Sequence, residues 1–182
     1  MNVIFRTMMA ILLITQALSG CATASQDAAR PAKQGAADNS APKFNVDKGL
    51  FPYEPHYFTL ANGARMHYLD EGGGPVLLLL HGNPTWSFLY RHIVTQLKGE
   101  FRLIAPDYPG FGLSSAPHGY RFTAEEHAAA VAELVERLDL HDITIVMQDW
   151  GGPIGFDLAL RHPERVRGFV IGNTWAWPLE RS

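Results

Sequence analysis

The stretch that most constrains this chain is residues 141–164, HDITIVMQDWGGPIGFDLALRHPE. Its opening, HDITIV, ends in the β-branched run ITIV and reads as a buried strand. Its second half, PIGFDLALRHPE, reads as a helix, with Pro153 suited to the first turn. Only MQDWGG separates the two, so the chain must turn sharply from strand to helix. The residue at the centre of that turn is Asp149, where the commoner form of such an elbow, G-x-S-x-G, carries a serine.

The surrounding pattern is α/β. HYFTL (56–60) and ARMHYLD (64–70) alternate as antiparallel strands joined at Asn62-Gly63, a hairpin signal. EGGG (71–74) is expected to be a turn; it precedes a strand, so it makes a poor phosphate cradle and no cofactor fingerprint. PVLLLLH (75–81) is continuously apolar, as a strand buried on both faces is. TWSFLYRHIVTQL (85–97) has helical spacing, with Gly99 as a stop. FRLIAPD (101–107) is the next strand. TAEEHAAAVAELVERLDL (123–140) is the clearest helix, with a capping box from Thr123 to Glu126. HDITIVMQ (141–148) and RVRGFVIGN (165–173) complete the strands. This alternation predicts a mostly parallel sheet with flanking helices and right-handed crossovers. Ligands in such sheets sit beyond the carboxyl ends of the strands. HGNPTW, DYPGFGLSS and QDWGG all fall there.

Composition narrows the class. A net charge of -3 over 182 residues, with no Lys/Arg block, argues against nucleic acid. The eight histidines show no metal-ligand spacing. The single cysteine excludes an internal disulfide. Residues 1–20 have Arg6 followed by an apolar run near Met8 to Leu18, too short to span a bilayer comfortably, and read as a secretory signal. LSGC resembles the lipobox of bacterial lipoproteins, which implies that Cys21 is lipidated and becomes the N-terminus. Residues 22–48 are poor in large apolar side chains and read as a flexible tether. That places the chain in a bacterial cell envelope, anchored by lipid to the outer membrane and facing the periplasm. Residues 49–182 form the α/β domain.

HGNPTWSFLYR, DYPGFGLSSAP, QDWGGPIG and NTWAWP, in this order, resemble the haloalkane dehalogenases of the α/β-hydrolase fold. The resemblance implies that Asp149 is the nucleophile, displacing halide from a small halogenated alkane to leave an alkyl ester that water hydrolyses. It implies that Asn83 and Trp150 clamp the departing halide through their side chains and hold the oxyanion through their backbone N–H groups. It also brings Trp175 and Trp177 to the pocket lining, and requires no cofactor and no metal. The chemistry suits the residues: a carboxylate is already ionised near pH 7, and Asn and Trp side chains offer N–H donors to an anion. Asp107, Gly110 and Gly112 are expected to shape a loop, and His81 to brace one. GLSSA around Ser114 imitates an elbow motif but has no helix after it.

Set against the family, the chain stops soon after a sixth strand. The cap, the last strands and the family's later acid and His are expected to be missing, leaving an incomplete, inactive fragment. His162 and Asp157 lie on the elbow helix and are not placed to substitute. An epoxide hydrolase-like protein is the alternative enzyme, disfavoured because its signature has an aromatic residue where Asn83 stands. A non-catalytic, lipid-anchored remnant of the fold is the alternative outside enzymes. Labelling with a fatty acid in a bacterial host is expected to mark the wild-type chain and not Cys21→Ala; no label on the wild type, or equal label on both, refutes the anchor.

Overall fold

The computed structural model describes residues 45–176. The signal segment, Cys21, most of the tether and Trp177 lie outside the described residues. Six strands form one sheet in the order β1-β2-β4-β3-β5-β6. These are β1 His56–Thr59, β2 Arg65–Gly72, β3 Val76–Leu80, β4 Arg102–Pro106, β5 Ile143–Gln148 and β6 Val166–Gly172. The helices are α1 Arg91–Leu97, α2 Ala124–Arg137 and α3 Gly151–Arg161. Among the described residues no helix is long and apolar enough to cross a membrane.

The sheet is mixed. β3, β4, β5 and β6 run parallel, while β2 joins β4 antiparallel and β1 joins β2 antiparallel. The hairpin forms as its Asn-Gly signal indicates: Gly63 has φ 87°, and Leu60 N–H donates to the Ala64 carbonyl at 2.8 Å. β2 continues through Glu71 to Gly72, because its backbone still pairs there with Leu103 and Arg102 of β4. The turn expected at 71–74 is therefore confined to its last residues.

β3 lies between β4 and β5 and is buried on both faces, which is why it has no polar alternation. Leu78 and Leu80 join the core under α2 and α3, with Ile104, Ile145, Met147, Val131, Leu134 and Leu158. Leu79 joins the opposite core, with Phe51, Tyr53, Tyr90, Val94 and Leu103. Helices and loops thus cover both faces.

Two local expectations are corrected. The helix expected over 85–97 is split into a 3₁₀ turn, Ser87–Tyr90, and α1. Its first turn is tightened by an i→i+3 bond, Leu89 N–H to the Trp86 carbonyl. Two anchors hold that turn to the strand ends: Ser87 N–H donates to Asp107 Oδ1, and Tyr90 OH donates to the Leu80 carbonyl at 2.7 Å. The capping box on α2 is half made. Glu126 N–H donates to Thr123 Oγ1 at 3.3 Å, but the Glu126 carboxylate takes the N–H of Arg121, at 2.8 Å, and not that of Thr123. Arg121 Nε–H adds a second bond to the same carboxylate, which draws it one turn back.

β6 pairs only with β5 among the described residues, and it displays Phe169, Val170 and Ile171 at 42%, 54% and 56% exposure. An apolar edge with unpaired backbone groups recruits other strands. Val170→Lys is expected to lower light scattering on heating or concentration, with the melting temperature little changed. Unchanged or increased scattering would show that this edge is not the adhesive surface.

Candidate active site

The site is built where β3, β4 and β5 end. Parallel pairing puts Leu80 beside Met147, so the segments that follow, Gly82-Asn83 and Asp149-Trp150, emerge as neighbours. α3 begins at once, and Gly151 rests on the Leu80 carbonyl so closely that a Cβ there would overlap it. At Gly82 a Cβ would stand 2.5 Å from both Cβ and Oδ1 of Asp149. Small residues at these two points let a loop and a helix N-terminus press together around one carboxylate.

Asp149 has φ 49°, in the left-handed region. A non-glycine residue there costs on the order of 1–3 kcal/mol and persists only when its surroundings hold it. Here they do. Asp149 N–H donates to the Asn173 carbonyl at 3.0 Å, and its own carbonyl accepts from Gly152 N–H and from the Thr174 hydroxyl at 2.5 Å. The side chain is fixed as well: Asn83 N–H donates to Asp149 Oδ1 at 2.8 Å. Oδ2 has no hydrogen-bond partner among the described residues.

Two side chains beside this carboxylate carry unused donors. Asn83 is exposed, Trp150 is 38% exposed, and neither the Asn83 amide nor the Trp150 indole N–H has a hydrogen-bond partner among the described residues. Trp150 is also the N-cap of α3, so its backbone N–H has no intrahelical acceptor. Both residues line one cleft, together with Gly82, Tyr108, Phe111, Phe122, His127 and Ile154. The cleft holds about 420 Å³, including its open mouth. Its described wall does not include Trp175, which packs edge-on against Trp150 at 5.3 Å between ring centres. Among the described residues, no three His, Cys, Asp or Glu side chains converge as metal ligands.

The loops are held from below. Asp107 is fully buried: Oδ1 accepts from Ser87 N–H at 2.8 Å, and Oδ2 accepts from Leu113 N–H and His67 Nδ1–H, each at 2.9 Å. His81 is a brace. Its Nδ1–H donates to the Gly82 carbonyl at 2.9 Å, and its Nε2 accepts from Tyr108 N–H at 3.3 Å. Only the neutral ring makes both bonds, and burial lowers its pKa in the same sense. Ser114 is also structural, donating to the Asp107 carbonyl and accepting from His67 N–H. His162 follows α3, whose 11 residues carry it about 16 Å from the elbow, and it sits within 4 Å of Glu136 and Glu164. Asp157 is paired with Arg161 at 2.8 Å.

Sequence reading missed the apolar wall of the cleft. His127 is the main omission: it is 5% exposed, burial and the neighbouring His81 lower its pKa to about 4, and Tyr120 OH lies 3.1 Å from its Nδ1. A signal was present, since Phe122 and His127 stand at N′ and N4 of α2, where side chains pack as a staple.

Fold and site define an α/β protein with a carboxylate at its strand-to-helix elbow and unused N–H donors beside it. The profile of the alpha/beta hydrolase fold matches residues 75–181, and the chain belongs to that family. It is 50% identical over 137 residues to haloalkane dehalogenase 2 of Mycobacterium tuberculosis, covering 75% of this chain and 48% of that protein. It is 41% identical over 133 residues to a cis-3-alkyl-4-alkyloxetan-2-one decarboxylase of Shewanella oneidensis, covering 71% of this chain and 42% of that protein. The structure of haloalkane dehalogenase DpaA from Paraglaciecola agarilytica NO2 superposes with TM-score 0.64 at 34% identity, over 74% of this chain and 49% of that one. A Vigna radiata epoxide hydrolase superposes with TM-score 0.60 at 31% identity, over 65% and 38%. The chain spans about half the length of the curated relatives it matches.

Asp107→Ala is expected to destabilise the domain by about 3 kcal/mol or more, since three buried donors lose their acceptor and each unsatisfied group costs about 1–3 kcal/mol. Urea unfolding checks this, and a loss below about 1 kcal/mol would show that Asp107 is not what holds the loops.

Proposed function

We propose that this chain carries the nucleophile-bearing part of a haloalkane dehalogenase-like hydrolase, acting on a small halogenated alkane. The observation that carries the reading is that Asp149, held at the elbow with Oδ2 unpaired among the described residues, is bonded to the backbone of Asn83 and adjoins Trp150, whose unused side-chain donors line one cleft. Oδ2 attacks the sp³ carbon that bears the halogen. The C–O bond forms as the C–X bond breaks, and the halide leaves with the bonding pair toward the Asn83 amide and the Trp150 indole N–H. No base is needed, because the attacking carboxylate carries no proton.

The product is an alkyl ester on Asp149 whose carbonyl oxygen is Oδ1, already on the Asn83 N–H. Water attack on Cγ turns that same oxygen into an oxyanion, held there with help from the Trp150 N–H. The second step needs a base to take the water's proton. His81 spends both ring nitrogens on the loop, His162 lies at the far end of α3, and His127, with a pKa near 4, is too weak a base at neutral pH. We infer that the base lies outside the described residues and that residues 45–176 by themselves carry the reaction only to the ester. The lipid anchor at Cys21 and the envelope location belong to the same proposal, with the fatty-acid label as their test. Under it, residues 22–48 tether residues 49–182 to the membrane.

Intact-mass spectrometry after incubation with 1-bromohexane is expected to find one hexyl group, on Asp149, with at most one bromide released per chain. Asp149→Ala is expected to take up none, and Asn83→Ala or Trp150→Phe to slow alkylation about 10²–10³-fold. Many turnovers abolished by Asp149→Ala would overturn the single-turnover reading. Alkylation of Asp149→Ala, or reaction with an epoxide but not with bromohexane, would overturn the dehalogenase reading.

A further inference from the structure

The cleft wall facing the site is aromatic and aliphatic except at one residue. His127 sits on the first turn of α2, its ring tilted against Tyr108 at 5.1 Å and Tyr120 at 5.4 Å and edge-on to Phe111 at 5.5 Å between ring centres. A phenylalanine would pack there equally well, so packing alone does not call for a histidine. What histidine adds is two ring nitrogens. Nδ1 is engaged by the Tyr120 hydroxyl at 3.1 Å. Nε2 has no hydrogen-bond partner among the described residues, although the ring lines the cleft that also holds Asn83 and Trp150. His127 Nε2 is not among the buried unpaired polar atoms, so it opens to the cleft, where water or a bound molecule can pair with it. A single polar group in such a wall is the usual means of orienting a bound molecule.

We propose that His127 is a specificity-determining residue whose Nε2 hydrogen-bonds a hydroxyl on the substrate's alkyl chain, so that the site prefers haloalkanols to plain haloalkanes. This rests on the assignment of Asp149 as nucleophile. A hydroxyl fits because it both donates and accepts. If Tyr120 donates to Nδ1, Nε2 carries the proton and the hydroxyl accepts. If Nδ1 donates to Tyr120, Nε2 offers its lone pair and the hydroxyl donates. An ether or a second halogen satisfies only the first arrangement. The neutral ring keeps one lone pair and one N–H through the whole neutral range. The wall of Phe111, Phe122 and Ile154 takes the methylene chain between the two ends.

Two measurements test this on the full 182-residue chain. In long-range ¹H–¹⁵N spectra, hexan-1-ol is expected to shift the His127 Nε2 resonance and 1-chlorohexane to leave it in place. No shift with the alcohol, or equal shifts with both, overturns the proposal without reference to Asp149. Alkylation followed by intact mass is expected to run about tenfold or more faster with 6-bromohexan-1-ol than with 1-bromohexane. That preference should vanish in His127→Phe, which keeps the packing, and persist in part in His127→Gln, which keeps a polar group. Equal rates in the wild type overturn the assignment of His127. Alkylation by neither compound overturns the assignment of Asp149, and the spectra still decide His127.

Discussion

The parallel pairing of β3 with β5, Leu77 to Leu80 against Thr144 to Met147, is the constraint on which the site depends. It delivers two loops to the same edge of the sheet, one carrying Asn83 and one carrying Asp149 and Trp150. Hydrogen bonds between parallel strands set the register, so Gly82 and Gly151 are brought against Asp149 and Leu80 with no room for a side chain at either point. The Asn83 N–H to Asp149 bond then ties the two loops across that contact. A shift of one residue in the pairing would reverse the face of every side chain on β5 and carry the carboxylate away from the Asn83 N–H.

Beneath the site lies a layer of buried polar groups that work as braces. Asp107 and His81 point into the protein and hold backbone N–H and carbonyl groups that the loops cannot pair among themselves. Buried polar groups of this kind are stabilising only when all their bonds are made. Burial is the main cause of the neutral state of His81, against the Gly82 carbonyl and Asp107, which favour the charged ring, and acceptance of the Tyr108 N–H at Nε2 fits the neutral form. The strained backbone of Asp149 depends on the other side of the site, on Asn173 and Thr174 just past β6. The elbow is therefore held by three strand ends together.

The apolar wall has a different origin. Phe111, Phe122 and His127 come from the loop after β4 and the start of α2, segments that do not touch the elbow in sequence. They meet there because α2 packs its Ala, Val and Leu stripe on the sheet beside α3, which brings its N-terminal turn to the carboxyl ends of the strands. A hydrophobic surface and the elbow that carries Asp149 are thus brought together by packing that serves the core first.

Much of this was legible in the sequence, and the reasons are local. The continuous apolar run at 75–81 reads as a strand buried on both faces, the β-branched run at 143–146 as another buried strand, Asn62-Gly63 as a tight turn, and an Asp followed by Trp-Gly-Gly between a strand and a helix marks an elbow. Residue type and spacing along the chain settle such features, because each depends on neighbours within a few positions. The split of 85–97 into a 3₁₀ turn and a helix was not legible, since it depends on Asp107 and Leu80, which lie elsewhere in the chain. Nor was the role of His127, whose spacing fits a buried helix face equally well. Which donors stay unpaired, which histidine is spent as a brace and which lines the cleft are decided by contacts between distant segments, and those exist only once the sheet has set their positions.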